Sequence, residues 1–333
     1  MKTLEMAGDS KVRVLVREAP PPQAGQVIIE TAASAICGSE MYRYRGDGVA
    51  GGNGGHEAVG LVAVLGDGVS NVAVGQRVGV SAVVGCGDCR QCDAGRYTWC
   101  DNNRSYSQMH AEQFVIPARA CNILPDDLPW EDAALLTGDG MGLPYHTYKR
   151  TRDAGIQTVA VIGLGPIGLG NVLLQSHIGR RVIGVDIVDY RLKLAKQLGA
   201  DVVVKSDDTL IERIRDLTGG IGADVAIMCA GRAEAVADAF LAARKGGTVV
   251  FNGELNQAVL APSRDFIRRD ITAIGCWYYH FHDFHDMLAL YRNGLDIGKL
   301  ITHQFPLSEA DTAFDLFSRG LTGKVLLRPS CRA

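Results

Sequence analysis

Four cysteines, Cys86, Cys89, Cys92 and Cys100, stand in the order C-x2-C-x2-C-x7-C. Four thiolates at this spacing can surround one zinc ion tetrahedrally. Such a closed site leaves no open position, so the ion would hold structure rather than do chemistry. Gly87, Asp88 and Gly95 ease the loop around it. An iron–sulfur cluster is the competing reading of the short cysteine run, although no proline follows the fourth cysteine as in ferredoxin ligation. The chain has nine cysteines, and the other five (Cys37, Cys121, Cys229, Cys276 and Cys331) are dispersed. Clustering of this kind points to a metal before disulfides.

Two further motifs are bland when taken singly. Cys37-Gly38-Ser39-Glu40 and Gly55-His56-Glu57 each offer one soft donor. A lone cysteine is usually a small buried hydrophobe. The next motif carries more. Residues 158–161 run apolar and β-branched into Gly163-Leu164-Gly165-Pro166-Ile167-Gly168, and a helical stretch over 169–178 follows. Gly163 permits a tight turn, Gly165 lets backbone approach a pyrophosphate, and Gly168 lets helix and strand pack closely. A diphosphate then sits at a helix N-terminus, where free N–H groups and the dipole favour anions. A second strand ends in Asp186, about 20 residues on, where a carboxylate accepts from ribose hydroxyls. The same carboxylate repels a 2′-phosphate and favours NAD over NADP, whereas Arg191 nearby offers a phosphate some charge.

Those residues need elements to place them. Before about residue 145, short strands (12–16, 26–31, 60–65 and 77–80) are punctuated by glycine, which reads as an antiparallel, barrel-like β domain. From Gly155 the pattern changes to six strands (158–163, 181–186, 201–204, 223–229, 247–252 and 270–275) with helical runs such as 191–198 and 234–243 between them. Strands separated by crossovers describe a doubly wound parallel sheet. The tail from Tyr279 returns to helix then strand, ending in a strand over 324–327. A chain of 333 residues suggests two domains. The net charge of −3 gives no long-range attraction to nucleic acid or acidic lipid, and basic pairs such as Arg268–Arg269 are scattered. Residues 1–16 lack the apolar core of a signal peptide. The longest apolar run, 158–170, is interrupted by glycines and Pro166 and is too short for a bilayer. A soluble cytoplasmic protein is expected.

The Cys-Gly-Ser motif, Gly-His-Glu, the four-cysteine lobe and the nucleotide fingerprint occur in one order. That order resembles the zinc-containing medium-chain dehydrogenase/reductase family, which includes alcohol, sorbitol, threonine and formaldehyde dehydrogenases, and the similarity covers essentially the whole chain. It implies an α/β protein with a GroES-like, mainly antiparallel β catalytic domain over 1–146 and 279–333. That domain would carry a structural zinc lobe at 86–100, and a Rossmann NAD-binding domain would span 147–278. Cys37 and His56 match the first two ligands of a catalytic zinc. The third lies before the nucleotide domain and is Cys, Glu or Asp in the family. The segment 136–146 has no cysteine, but Asp139 precedes His146 by the seven positions seen in several relatives. Asp139 is therefore assigned, with helix capping as its competing role, and Glu57 is the reserve ligand. Ser39 matches a hydroxyl that hydrogen-bonds the substrate oxygen and passes its proton outward; taken alone, it reads as a turn hydroxyl. Tyr42 stands where a histidine often ends this relay, and a phenol is a poor proton acceptor at neutral pH. Glu40 matches an acidic position that orients His56 or a neighbouring ligand. Ile167 matches an apolar position behind the nicotinamide. Lys324 matches a basic position that reaches the pyrophosphate; on its own it reads as a surface lysine.

The implied reaction moves a hydride between a carbinol carbon and NAD, with two zinc ions per chain, one catalytic and one structural. Tyr42, Arg43, Tyr44 and Arg45 precede a glycine-rich loop that reads as an open or mobile pocket wall. They either hydrogen-bond a polar ligand or form an exposed strand edge, and the first role favours a secondary alcohol of the sugar, polyol or cyclitol kind. Residues 277–282, Trp-Tyr-Tyr-His-Phe-His, read as aromatic packing or subunit contacts rather than a third metal at His280, His282 and His285. A simple alcohol, aldehyde or threonine-type dehydrogenase is the alternative. Zinc-free quinone or enoyl reduction is disfavoured by Cys37 and the cysteine lobe. A non-catalytic, zinc-stabilised nucleotide-binding regulator would have no need of Cys37, His56 and Ser39 together. A homodimer or homotetramer acting on a small molecule, with no nucleic-acid or membrane partner, is expected.

Overall fold

A computed structural model describes residues 1–329; Cys331 lies outside them. The chain divides into two compact units, Met1–Gly142 together with the chain from Tyr278 onward, and Leu143–Trp277. The first division falls inside the helix Asp139–Arg150. Its opening turn packs with the first unit: a Cβ on Gly142 would lie 2.1 Å from the Tyr279 ring, and one on Gly140 would meet Leu135 and Lys324.

The first unit is built on a seven-stranded sheet. Its centre is the long strand Gln26–Ala35, paired antiparallel with Ala58–Leu65, Gln113–Pro117 and Lys324–Arg328. Ile301–Pro306 against Lys324–Arg328 is the parallel exception. One core cluster lies between the first hairpin and the C-terminal helix Ala310–Ser318, with Leu4, Met6, Ile36, Tyr44, Phe314 and Val325 among its members. The glycine-rich loop is not open. Gly48 adopts φ +74°, a Cβ there would strike Met6 O at 2.3 Å, and the Val49 N–H donates to the same carbonyl. Met6 N in turn donates to Gly52 O, so the loop is sewn to the first strand.

The second unit carries six parallel strands in the order Val202–Lys205, Arg181–Asp186, Thr158–Ile162, Ala223–Met228, Ala243–Phe251, Thr272–Gly275. This is the doubly wound order with its switch point at the first strand, the place such sheets bind dinucleotides. The inner strands are buried almost throughout, which explains why they read as continuous Val/Ile/Ala runs. Helices Pro166–His177, Asp189–Gln197, Leu210–Leu217 and Ala233–Ala242 supply the crossovers. Among the described residues, no helix is long and apolar enough to cross a membrane.

Candidate metal centres and nucleotide loop

Cys37 follows the central strand and precedes the tight turn Gly38–Glu40. Its backbone N–H donates to Glu40 Oε1 at 2.9 Å, a local cap that fixes where the thiol leaves the chain. His56 sits in the loop before Ala58–Leu65, with Nδ1 against Gly54 O at 2.8 Å. A backbone carbonyl on one ring nitrogen leaves the other free as a donor to a metal. That other nitrogen, Nε2, lies 3.4 Å from Asp139 Oδ2, and the Cys37 sulfur lies 3.8 Å from the same oxygen. One ligand atom each from Cys37, His56, Glu57 and Asp139 falls within 4.8 Å of all the others. A thiolate, an imidazole and a carboxylate are the donor types zinc takes. Burial would lower the basicity of the His56 imidazole, but Cys37, Asp139 and Glu40 outweigh it and raise the ring well above its usual range. Such a concentration of negative groups around one imidazole is an arrangement that a divalent cation stabilises.

Glu57 differs from the other three. Its Oε1 receives Lys324 Nζ at 2.5 Å and its Oε2 receives the Gly140 N–H at 3.3 Å. Both partners of this ion pair are fully buried. Burial alone would depress the Lys324 ammonium; the Glu57 carboxylate holds it above its ordinary range. Lys324 is therefore not a surface lysine, and its charge is spent inside the first unit. Ser39 is exposed in the turn after Cys37. The strand edge expected at 42–45 is instead the short helix Met41–Arg45. Tyr42 is 82% exposed, Tyr44 is buried against Phe314, and Arg45 donates to the Ser318 carbonyl at 2.6 Å. Tyr44 and Arg45 thus hold the fold rather than a ligand.

Two tyrosines of the aromatic run, Tyr278 and Tyr279, feel the charges of the centre. Burial, reinforced by Asp139 and Glu57, raises both phenols. Tyr278 adopts φ +54°, a conformation that costs a non-glycine residue about 1–3 kcal/mol. Its hydroxyl accepts from the Ala82 N–H at 2.8 Å. The Tyr279 hydroxyl donates to the Thr137 carbonyl, two residues before Asp139. No sequence signal marks a tyrosine in the left-handed region.

In the second centre the sulfurs of Cys86 and Cys92 are 3.9 Å apart, and those of Cys89 and Cys92 are 3.6 Å apart. A tetrahedron with zinc–sulfur bonds of about 2.3 Å has edges near 3.8 Å. Both separations are close to that edge, and all four sulfurs lie within 4.8 Å of one another. They hold protons unequally: the Asp88 carboxylate raises Cys86 to about 12, whereas the Cys86 N–H lowers Cys100 to about 7. The 280–282 stretch packs on this lobe. Phe281 stacks on Tyr97 with centroids 4.9 Å apart, His280 meets the Trp99 ring at 4.6 Å, and the His282 N–H donates to Gly95 O. The packing expected of this aromatic run is present, and the His280, His282 and His285 trio is not among the clusters able to hold a metal.

The glycine fingerprint closes the second unit's first strand. Gly163 has φ +92°, and a Cβ on Gly168 would lie 1.9 Å from Gly163 O. Nothing lies within 4 Å of a Cβ position on Gly165, so the loop is open where a pyrophosphate would approach. Ile167 is half-buried in the helix's first turn. Asp186 accepts from the Leu164 N–H at 2.6 Å and the Val188 N–H at 2.9 Å, which turns its carboxylate toward the loop. Arg191 lies 3.9 Å from that carboxylate.

Comparison with known proteins agrees with this geometry. Residues 23–126 match the family described as "Alcohol dehydrogenase GroES-like domain", and residues 166–293 match "Zinc-binding dehydrogenase". An L-threonine 3-dehydrogenase of Coxiella burnetii is 32% identical over 94% of this chain and 95% of its own length. A solved structure described as a short chain alcohol dehydrogenase from Escherichia coli CFT073, complexed with cofactor NADH, superposes with a TM-score of 0.87 at 26% identity. It covers 98% of this chain and 99% of that one. Galactitol-1-phosphate dehydrogenase from Escherichia coli superposes at 0.86 with 25% identity, covering 99% and 100%. Matches that take in both the metal-bearing sheet and the nucleotide-binding sheet, in this order along one chain, place the protein in the zinc-containing medium-chain dehydrogenase family.

Proposed function

We propose that this protein is an NAD-dependent dehydrogenase of secondary alcohols that carry further polar groups, such as sugars, polyols and cyclitols. The observation that carries the reading is the convergence of Cys37, His56 and Asp139 in the first unit. When bound, zinc supplies Lewis acidity toward the substrate oxygen and NAD accepts the hydride. Cys37, His56 and Asp139 would hold the ion; Glu57 would stay with Lys324, because moving to the metal would leave a buried ammonium unpaired. Ser39, exposed beside Cys37, would accept the hydroxyl proton of the substrate and pass it outward. Tyr42 would not be needed for that step, because a phenol is a poor proton acceptor at neutral pH. Asp186 would accept from the adenosine ribose hydroxyls, with Arg191 beside it tempering the carboxylate's charge and narrowing the preference over NADP. A homodimeric or homotetrameric cytoplasmic enzyme completes the proposal, and sedimentation would test its assembly.

L-Threonine, whose reacting hydroxyl is also secondary, is a second reading favoured by the Coxiella burnetii relative. A panel of polyols, cyclitols, L-threonine and simple alkanols, followed by NADH absorbance, separates the two. Turnover of primary alkanols alone would overturn the preference for polar secondary alcohols. No turnover of any alcohol by the two-zinc protein would leave the non-catalytic nucleotide-binding reading.

A further inference from the structure

His110 lies outside every motif read from the sequence, yet it touches both segments that bear the metal ligands Cys37 and His56. Its ring and the Glu40 carboxylate are fully buried, with Nε2 and Oε2 3.0 Å apart. Glu40 uses its other oxygen to receive the Cys37 N–H. On the far side of the ring, Nδ1 meets the Ser34 hydroxyl at 2.9 Å. Ser34 belongs to the central strand, three residues before Cys37. The ring is thus held at both nitrogens and cannot rotate without losing a buried hydrogen bond.

The same imidazole supports the His56 side. A Cβ on Gly55 would lie 2.6 Å from His110 Cγ and Cδ2, so the ring packs flush on the backbone next to His56. Asn53 ties the two backbones together: its Oδ1 receives both the Gly55 N–H, at 3.1 Å, and the His110 N–H, at 3.2 Å. Glu40 touches this side as well, since a Cβ on Gly54 would meet its Cγ at 3.2 Å. Gly54 O is the atom that orients His56 Nδ1.

We infer that His110 is a positioning residue for the catalytic metal, clamping the Cys37 segment through Glu40 and the His56 segment through Gly55 and Asn53. The inference rests on the metal site proposed above. Groups that orient metal ligands typically contribute about 10–100-fold to metal affinity or activity. His110→Phe keeps a ring of similar shape and deletes both nitrogen contacts. Ser34→Ala removes only the hydroxyl that fixes the ring, and it keeps the fold if the larger change does not.

The test measures, on the zinc-loaded protein, the rate at which a chelator extracts the labile ion. The labile ion is then exchanged for cobalt(II), and its visible thiolate and ligand-field bands are recorded. His110→Phe should release the ion at least tenfold faster and shift the cobalt bands, and Ser34→Ala should do the same in smaller measure, about threefold. His110→Gln, whose amide can donate to Glu40, should restore part of the lost retention. A lowered melting temperature with unchanged cobalt bands and unchanged release would mean a purely structural role and overturns the inference. If His110→Phe does not fold, unchanged bands and release in Ser34→Ala overturn it equally. Wild-type protein that takes up only one ion overturns the metal site as well, whereas two ions with unresponsive variants overturn this inference alone.

Discussion

Ser39 and Tyr42 make opposite demands on the chemistry, although both are exposed. Ser39 is tied by chain connectivity to Cys37, whereas Tyr42 projects from a separate helix with 82% of its surface free. Ser39→Ala should therefore keep both metals and NAD binding but lose alcohol oxidation by about 10²–10⁴-fold, the range for general acid–base groups. Tyr42→Phe should leave kcat near normal. Steady-state kinetics with metal analysis checks both, and a collapse of kcat in Tyr42→Phe would reverse the assignment. Lys324 sets a second expectation. Removing one member of a fully buried ion pair strands the other charge, which typically costs about 3–5 kcal/mol. Lys324→Met should lose stability on that order in denaturant unfolding, and Glu57→Gln with Lys324→Met should regain much of it. If the double variant is no more stable than Lys324→Met, the pair is not the source of the loss.

Elements that repeat a strong period were legible in sequence. The six parallel strands emerge within a few residues of their expected limits; the three inner ones are buried almost throughout and so are apolar along their length, while the edge strands Val202–Lys205 and Thr272–Gly275 are less buried. The cysteine lobe and the glycine fingerprint were legible because their spacing is itself the geometry. Residues 41–45 were not: two tyrosines and two arginines carry no apolar period, and only burial of Met41 and Tyr44 against the C-terminal helix makes them helical. His110 and Ser34 were invisible for a related reason, since His110 meets Glu40 from 70 positions away and Ser34 from 76, contacts that no local pattern records. The glycine-rich loop was misread because glycine permits both looseness and close approach. Here it serves the second, with Gly48 pressed on the Met6 carbonyl. Close approach also governs the nucleotide loop. Gly168→Ala should force the helix Pro166–His177 off the first strand, because the new Cβ would overlap Gly163 O. NAD affinity, measured by calorimetry, should fall at least tenfold while both metals stay bound. Unchanged affinity would mean the loop does not hold the cofactor.

At the scale of the whole molecule, the two metal centres belong to one unit but have different designs. The lobe at 86–100 offers four sulfurs spaced for a closed tetrahedron, and it is braced by Phe281 on Tyr97 and His280 on Trp99. In the proposed arrangement the Cys37 centre would use Cys37, His56 and Asp139, with Glu57 held by Lys324, and would keep one position for solvent or substrate. An open ion exchanges through its free position; a closed one must first break the lobe. Metal analysis should therefore return about two zinc ions per chain, and a chelator should remove them in two phases. The fast phase should abolish activity with little change in melting temperature. The slow phase should coincide with loss of the lobe's packing, seen as a change in Trp99 fluorescence. Asp139→Asn should accelerate the fast phase and leave the slow one alone, since Asp139 reaches His56 and Cys37 but is not among the residues of the cysteine cluster. A single phase removing both ions together, or an Asp139→Asn protein that releases its labile zinc at the wild-type rate, would show that the third ligand lies elsewhere or that the two centres are not independent.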